Sequence, residues 1–186
     1  MKKLKRFAIL LTLTILAFGA KAQDSRTDNH AITIVVPNVA LLDLETSVAK
    51  DFTASFTHSG EAGDKLTAPS SNTDLWLNYS SILPATGVTA RRVDVKASTT
   101  IAGLDIAVVA GAITTGAGTR GTPGSAVTLT TSDQQLITGI GSAYTVSGAS
   151  KGHQLTYTFT ALDANYANIR STTGTPVTVT YTLVDY

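Results

Sequence analysis

Three histidines, thirteen acids and no cysteine are the main chemical resources of this 186-residue chain. Without cysteine there is no disulfide, no thiol nucleophile and no thiolate metal site. His30, His58 and His153 are widely separated, and each stands beside polar or turn residues. No His-Glu-x-x-His, P-loop or Gly-x-Ser-x-Gly elbow occurs. A hydrolytic triad would need the fold to carry His58 or His153 to an acid and a hydroxyl. Gly139-Ile140-Gly141 looks like a fragment of a nucleotide-binding fingerprint. It lacks the third glycine and the βαβ setting, so it reads as a pair of turn glycines. Glu61, Asp64 and Asp74 flank one polar stretch, and Asp43, Glu45 and Asp51 another. Ca2+ is the cofactor such loop acids would suit. Neither set follows calcium-loop spacing, and solvated loop acids are the plainer reading. The expectation is a protein that is not an enzyme, with a divergent secreted hydrolase as an alternative.

Two other features point to a surface rather than a reaction. In Leu75-Trp76-Leu77-Asn78-Tyr79-Ser80, Trp76 and Asn78 alternate with apolar residues. Trp76 could stack a sugar ring on a binding face or simply pack between sheets. Asn78-Tyr79-Ser80 also spells an N-glycosylation sequon. The second feature is a doubled threonine pattern: Thr156, Thr158, Thr160 and then Thr178, Thr180, Thr182. Side by side in one sheet, these would form a hydroxyl lattice able to order water or meet a polysaccharide. A carbohydrate- or ice-binding module is therefore a further alternative, against the plainer reading of solvated strand faces.

These residues must be positioned by strands. Leu155, Tyr157, Phe159 and Ala161 alternate with threonines, as do Val177, Val179, Tyr181 and Leu183. A period of two with one polar face marks half-buried strands, and threonine suits the outer face because its branch favours extended backbone. Ala31–Val36, Val39–Leu44, Phe52–Thr57, Leu75–Tyr79, Val88–Ala97, Leu104–Ala110, Ala126–Thr130 and Gln135–Ile140 read as further strands. Ile113–Gly124, rich in Gly and Thr, reads as a loop or a loosely paired hairpin. A helical turn is expected around Tyr166–Ile169. No long segment has helical periodicity. Roughly eight to ten short strands with regular polar breaks predict an all-β, antiparallel β-sandwich. The threonine faces argue against an outer-membrane barrel.

The chain opens with an export signal. Lys2, Lys3, Lys5 and Arg6 precede the apolar run Phe7–Gly19, and Ala20-Lys21-Ala22 fits a small-x-small cleavage site. Residues 1–22 are thus expected to be a signal peptide, residues 23–30 a flexible lead and residues 31–186 one domain. Fourteen Lys and Arg fall to nine once the five in the leader are removed, against thirteen acids, giving a formal charge of −4. That balance, with Arg91-Arg92 as the sole adjacent basic pair, excludes a nucleic-acid footprint. No later segment is long and apolar enough for a membrane-spanning helix. Export to the periplasm, cell surface or extracellular space is expected.

The leader, the Leu75–Ser80 segment and the terminal Val177-Thr178-Val179-Thr180-Tyr181 strand together resemble bacterial surface and fimbrial proteins of the pilin-like and spore-coat-U-like class. That resemblance implies an immunoglobulin-like sandwich and a structural or adhesive role, with the protein itself or other surface subunits as partners. Tyr181 and Tyr186 would then occupy places used for chaperone and subunit contact. This chain departs from the pattern in lacking a disulfide pair and in showing no donor-strand pattern in Gln23–Asn29. Ala31–Val36 could supply such a strand, or be the first strand of a complete monomer.

Overall fold

A computed structural model describes residues 26–186; the expected signal peptide and the first residues of the lead lie outside them. One compact unit ends at Val35 and the other spans Val36–Tyr186. The second holds nine strands: β1 (Val39–Thr46), β2 (Asn72–Ile82), β3 (Arg91–Ala97), β4 (Leu104–Ala110), β5 (Ala117–Pro123), β6 (Val127–Thr128), β7 (Gln134–Tyr144), β8 (His153–Ala161) and β9 (Val179–Asp185). A short 3-10 helix, Asp163–Asn168, sits in the β8–β9 connection, close to the expected helical turn. All pairings are antiparallel, in the order β6-β4-β8-β2-β7-β3-β9, with β1 added to β2 and β5 to β7. The fold is all-β and sandwich-like, as the strand periodicity predicts, and the sheet does not close into a barrel.

The alternation of side chains explains the core. Leu75, Leu77 and Tyr79 of β2 face inward with Val93 and Val95 of β3, Val108 of β4, Leu136, Ile137 and Ile140 of β7, and Leu155 and Tyr157 of β8. Fully burying each aliphatic side chain stabilises the fold by about 1.5–3 kcal/mol. Thr158 and Thr160 of β8 and Thr180 and Thr182 of β9 stay exposed on the opposite faces of their strands.

A corner joins the two halves of the sheet. Ser80 and Ser81 of β2 pair with Tyr144 and Ala143 of β7, while Arg91–Val95 of β3 pair with Ile140–Gln134 of that strand. β2 and β3 therefore run end to end beside β7. Their outer partners follow suit: Val39 of β1 lies opposite Ile82, and Asp185 of β9 opposite Arg91. Arg91 is buried at this corner. Its Nε donates to Asp185 Oδ1 at 2.5 Å, and its terminal nitrogens donate to Val39 O, to Ser81 Oγ at 3.0 Å, to Ile82 O at 3.3 Å and to Asn38 Oδ1 at 2.8 Å. A guanidinium survives burial here because oxygens surround it on every side.

Four local expectations are corrected. Ala31–Val36 forms no strand. Phe52–Thr57 forms none either, apart from a bridge between Thr57 and Thr67; Phe52 instead sets its ring edge-on to Tyr157 and Phe159, with centroids 5.6 and 6.3 Å away. The Gly/Thr-rich stretch contains β5, paired to β7. Its glycines permit this: Gly116 and Gly118 have positive φ, and a side chain on either would strike the β7 backbone region at Tyr144 or Ser142. Gly139 and Gly141 are not turn residues but lie within β7, Gly139 at φ +70° beside an irregularity in the β3–β7 register.

Candidate functional site

A groove of about 250 Å³ opens beside β1, β2 and the end of β7, lined in part by Leu41, Asp43, Asn78, Ser80, Tyr144 and Val146. Leu41, Asp43 and Glu45 alternate along β1, and Asn78 and Ser80 along β2; register sets Leu41 opposite Ser80 and Asp43 opposite Asn78. Three apolar side chains are left in solvent here: Leu41 is 65% exposed, Tyr144 52% and Val146 41%. Val146 has φ +75°, a costly conformation for a β-branched residue. Thr145 holds it in place. The Thr145 amide donates to Tyr79 O at 3.1 Å, and its hydroxyl accepts from the Tyr79 amide at 3.0 Å.

Asn78 underpins the same wall. It is buried, and its Nδ2 donates to Gly148 O at 2.9 Å, tying the β7–β8 loop to β2. Its Oδ1 has no hydrogen-bond partner. Gly152 packs so closely over Asn78 Oδ1 and Leu77 O that a Cβ there would overlap both. The side-chain amide of the sequon's asparagine is thus enclosed within the fold. Trp76 is half-buried on the same outer face, opposite Glu45 of β1 and Gln154 of β8, and does not line the groove.

The threonine lattice does not assemble. β8 and β9 are separated by β2, β7 and β3 in the sheet order. Their inward faces meet instead: Tyr157 Oη and Tyr181 Oη are 2.5 Å apart. Thr156, Thr158 and Thr160 therefore point away from Thr178, Thr180 and Thr182. Burial raises the pKa of both phenols above the ordinary tyrosine value. Tyr181 is thus partly buried against the core. Tyr186 is half-exposed and pinned: its backbone bonds Ala90, its hydroxyl accepts from the Gly139 amide at 3.0 Å, and Arg92 lies 5.6 Å over its ring. Arg92 also donates to both carboxylate oxygens of Asp94, at 2.9 and 3.1 Å. The adjacent arginines thus divide into one staple at the corner and one ion pair with the buried Asp94 carboxylate.

Neither His153 nor His58 hydrogen-bonds a carboxylate. His153 is buried, with Nδ1 donating to Gly111 O at 2.8 Å and Nε2 3.0 Å from Tyr79 Oη. Tyr79 Oη also donates to Arg120 O. Burial, reinforced by the Arg120 charge, lowers the His153 pKa, while the backbone carbonyls oppose that shift. His58 Nε2 donates to Asp64 O, and its Nδ1 accepts from the Gly60 amide, each at 3.0 Å. Ser59 Oγ bonds the Asp64 carboxylate directly at 2.6 Å, bypassing the imidazole. Among the described residues, no three His, Asp or Glu side chains gather as a metal-binding group. Asp43 instead faces Lys50 at 3.6 Å.

Sequence reasoning missed Arg91 and the groove residues Leu41, Tyr144 and Val146. The apolar residues looked like ordinary strand members, and nothing in linear spacing shows that a strand face ends uncovered. Among the described residues, no helix is long and apolar enough to cross a membrane. A scan against protein-family models, a search of curated proteins and a search of solved structures return no match to this chain.

Proposed function

We propose that this is an exported structural or adhesive protein of the cell surface, a fimbrial- or pilus-like subunit that associates with copies of itself or with other surface subunits. One observation carries the reading. Ile32 is 74% exposed, Ile34 81%, Val35 85% and Val36 69%, in a segment that forms no strand. Ala-Ile-Thr-Ile-Val-Val is uncharged and strongly β-forming. Burial of each Ile or Val side chain is worth about 1.5–3 kcal/mol. Contiguous exposed apolar residues mark interaction sites, and an extended segment of this kind is suited to adding to another chain's sheet edge. The leader and the resemblance to pilin-like and spore-coat-U-like proteins support the same reading.

The test is self-association of protein expressed from the full-length gene, followed by size exclusion and electron microscopy. Concentration-dependent oligomers or fibres are expected, and Ile34→Asp should abolish them while leaving the circular-dichroism spectrum unchanged. A wild-type protein that stays monomeric at every concentration and captures no other surface subunit overturns the reading.

A further inference from the structure

The one tryptophan of this chain stands on the outer face of its strand. Leu75 and Leu77 on either side of it are buried in the core, so alternation turns Trp76 away from the core. Glu45 of β1 and Gln154 of β8 lie directly opposite it, one on each side. Directly opposite residues share a face, and neighbouring strands are about 4.8 Å apart, so these polar side chains bracket the indole across roughly 10 Å. Among the described residues, the indole N–H and the Glu45 carboxylate have no hydrogen-bond partner. Gln154 donates from Nε2 to Thr73 O at 2.9 Å and leaves its Oε1 unused. The same face of β8 continues through Thr156, Thr158 and Thr160, whose hydroxyls are likewise unpartnered among the described residues. Thr158 lies opposite Ala107 of β4, a side chain too small to cover it. From Gln154 to Thr160 the row extends about 20 Å.

We propose that this outer face of β1, β2 and β8 binds a neutral polysaccharide chain, with Trp76 stacking one sugar ring and the β8 threonines meeting the hydroxyls of the rings that follow. The chemistry selects this ligand. A pyranose ring has an apolar face of C–H groups, which suits an indole, and an edge of hydroxyls that both donate and accept. The unspent groups around Trp76 are of both kinds: the indole N–H donates, Glu45 and Gln154 Oε1 accept, and the threonine hydroxyls do either. An organic cation would use the ring and Glu45 but leave the indole N–H and the threonines idle. β1, β2, β4 and β8 carry the acids Asp43, Glu45, Asp74 and Asp105 and no Lys or Arg, so a polyanionic glycan is repelled. The length of the row suits a chain of sugars rather than one. The β8 threonines, which never meet those of β9, thus form a surface with Trp76 instead. This site goes beyond the self-association proposed above and does not depend on it.

Native electrophoresis of protein expressed from the full-length gene, in gels containing hydroxyethyl cellulose, galactomannan or soluble starch, tests the proposal, with alginate as the polyanion. At least one neutral polymer should retard the protein, and alginate should not. The retarding polymer should also shift the emission of Trp76, the sole tryptophan. Trp76→Ala should weaken retardation about tenfold or more, and Trp76→Tyr, which keeps an aromatic face, should restore most of it. Thr158→Glu changes an exposed side chain, leaves Trp76 in place and should weaken binding of long chains more than of dimers. Thermal melts check folding; if Trp76→Ala does not fold, Thr158→Glu and Glu45→Gln decide. Retardation by no neutral polymer, or retardation that every folded variant leaves unchanged, overturns the proposal. So does tighter binding of alginate, or saturable quenching of Trp76 by tetramethylammonium without polysaccharide binding. Ile34→Asp, which removes self-association, should be retarded as wild type is, so that failure of either reading is visible without the other.

Discussion

Tyr157 of β8 and Tyr181 of β9 meet oxygen to oxygen at 2.5 Å at the core, although three strands lie between theirs in the sheet order. One hydroxyl donates and the other accepts, so each satisfies a polar group that burial would otherwise strand. Phe52 closes the cluster by laying its ring against Tyr157. This contact also decides where the threonines go: inward tyrosines that touch force the two outward threonine rows apart.

The first prediction tests that pair. Tyr181→Phe leaves the Tyr157 hydroxyl buried alone and should cost about 1–3 kcal/mol in urea unfolding. The double change to Phe removes both polar groups and should cost less than the sum of the single changes. The raised phenol pKa values add a pH signature. Unfolded tyrosines ionise near pH 10 while these stay protonated in the fold, so their contribution is whole below that pH and is lost as pH rises above it. Denaturation midpoints measured across alkaline pH check the sign.

A second prediction concerns His153. Its folded-state pKa is depressed from 6.5, chiefly by burial, so the unfolded chain binds a proton that the fold resists. Its contribution is fully present above about pH 6.5 and is lost as pH falls through the depressed folded value. His153→Gln, which keeps polar atoms beside Gly111 and Tyr79, should flatten that acid limb. Chemical denaturation between mildly alkaline and mildly acidic pH reads this out; an unchanged limb in the variant would contradict it.

Arg91 supplies a third. Arg91→Met removes donors from Val39 O, Ile82 O, Ser81 and Asn38 at once, and a loss of about 3–5 kcal/mol is expected. Asp185 is half-exposed, so Asp185→Asn should cost only about 1 kcal/mol or less. Comparable losses from the two variants would show that the ion pair, rather than the carbonyl network, holds the corner.

Gly152 supplies a fourth. A methyl at this position overlaps Asn78 Oδ1 and Leu77 O, so Gly152→Ala should destabilise by about 1–3 kcal/mol and shift the loop that walls the groove. Gly148→Ala meets no neighbour but sits at φ +105°, so its cost is local strain without overlap. Hydrogen exchange at Val146–Ser150 should rise in the first variant more than in the second.

The last two strong strands show how much was legible. Period-two patterning in residues 154–161 and 177–183 assigned every inward and outward side chain correctly, because a half-buried strand writes its faces into its own sequence. The same pattern in Phe52–Thr57 produced no strand, and neither did the β-branched run Ala31–Val36. Alternation shows that a segment can pair, but a ladder also needs a neighbour with free backbone groups. β5 was obscured for the opposite reason: glycines that look like loop material are what let its backbone lie so near β7.

Residue types and spacing by themselves determined an all-β chain with threonine on its outer faces. Local alternation and the sterics of branched side chains require no distant partner to be read. Only the tertiary structure decided that Tyr157 faces Tyr181, that Arg91 is a buried staple while Arg92 pairs with the buried Asp94, and that Leu41, Tyr144 and Val146 share one groove. These depend on strand order and register, which arise from contacts between residues far apart in the chain and leave no mark in linear spacing.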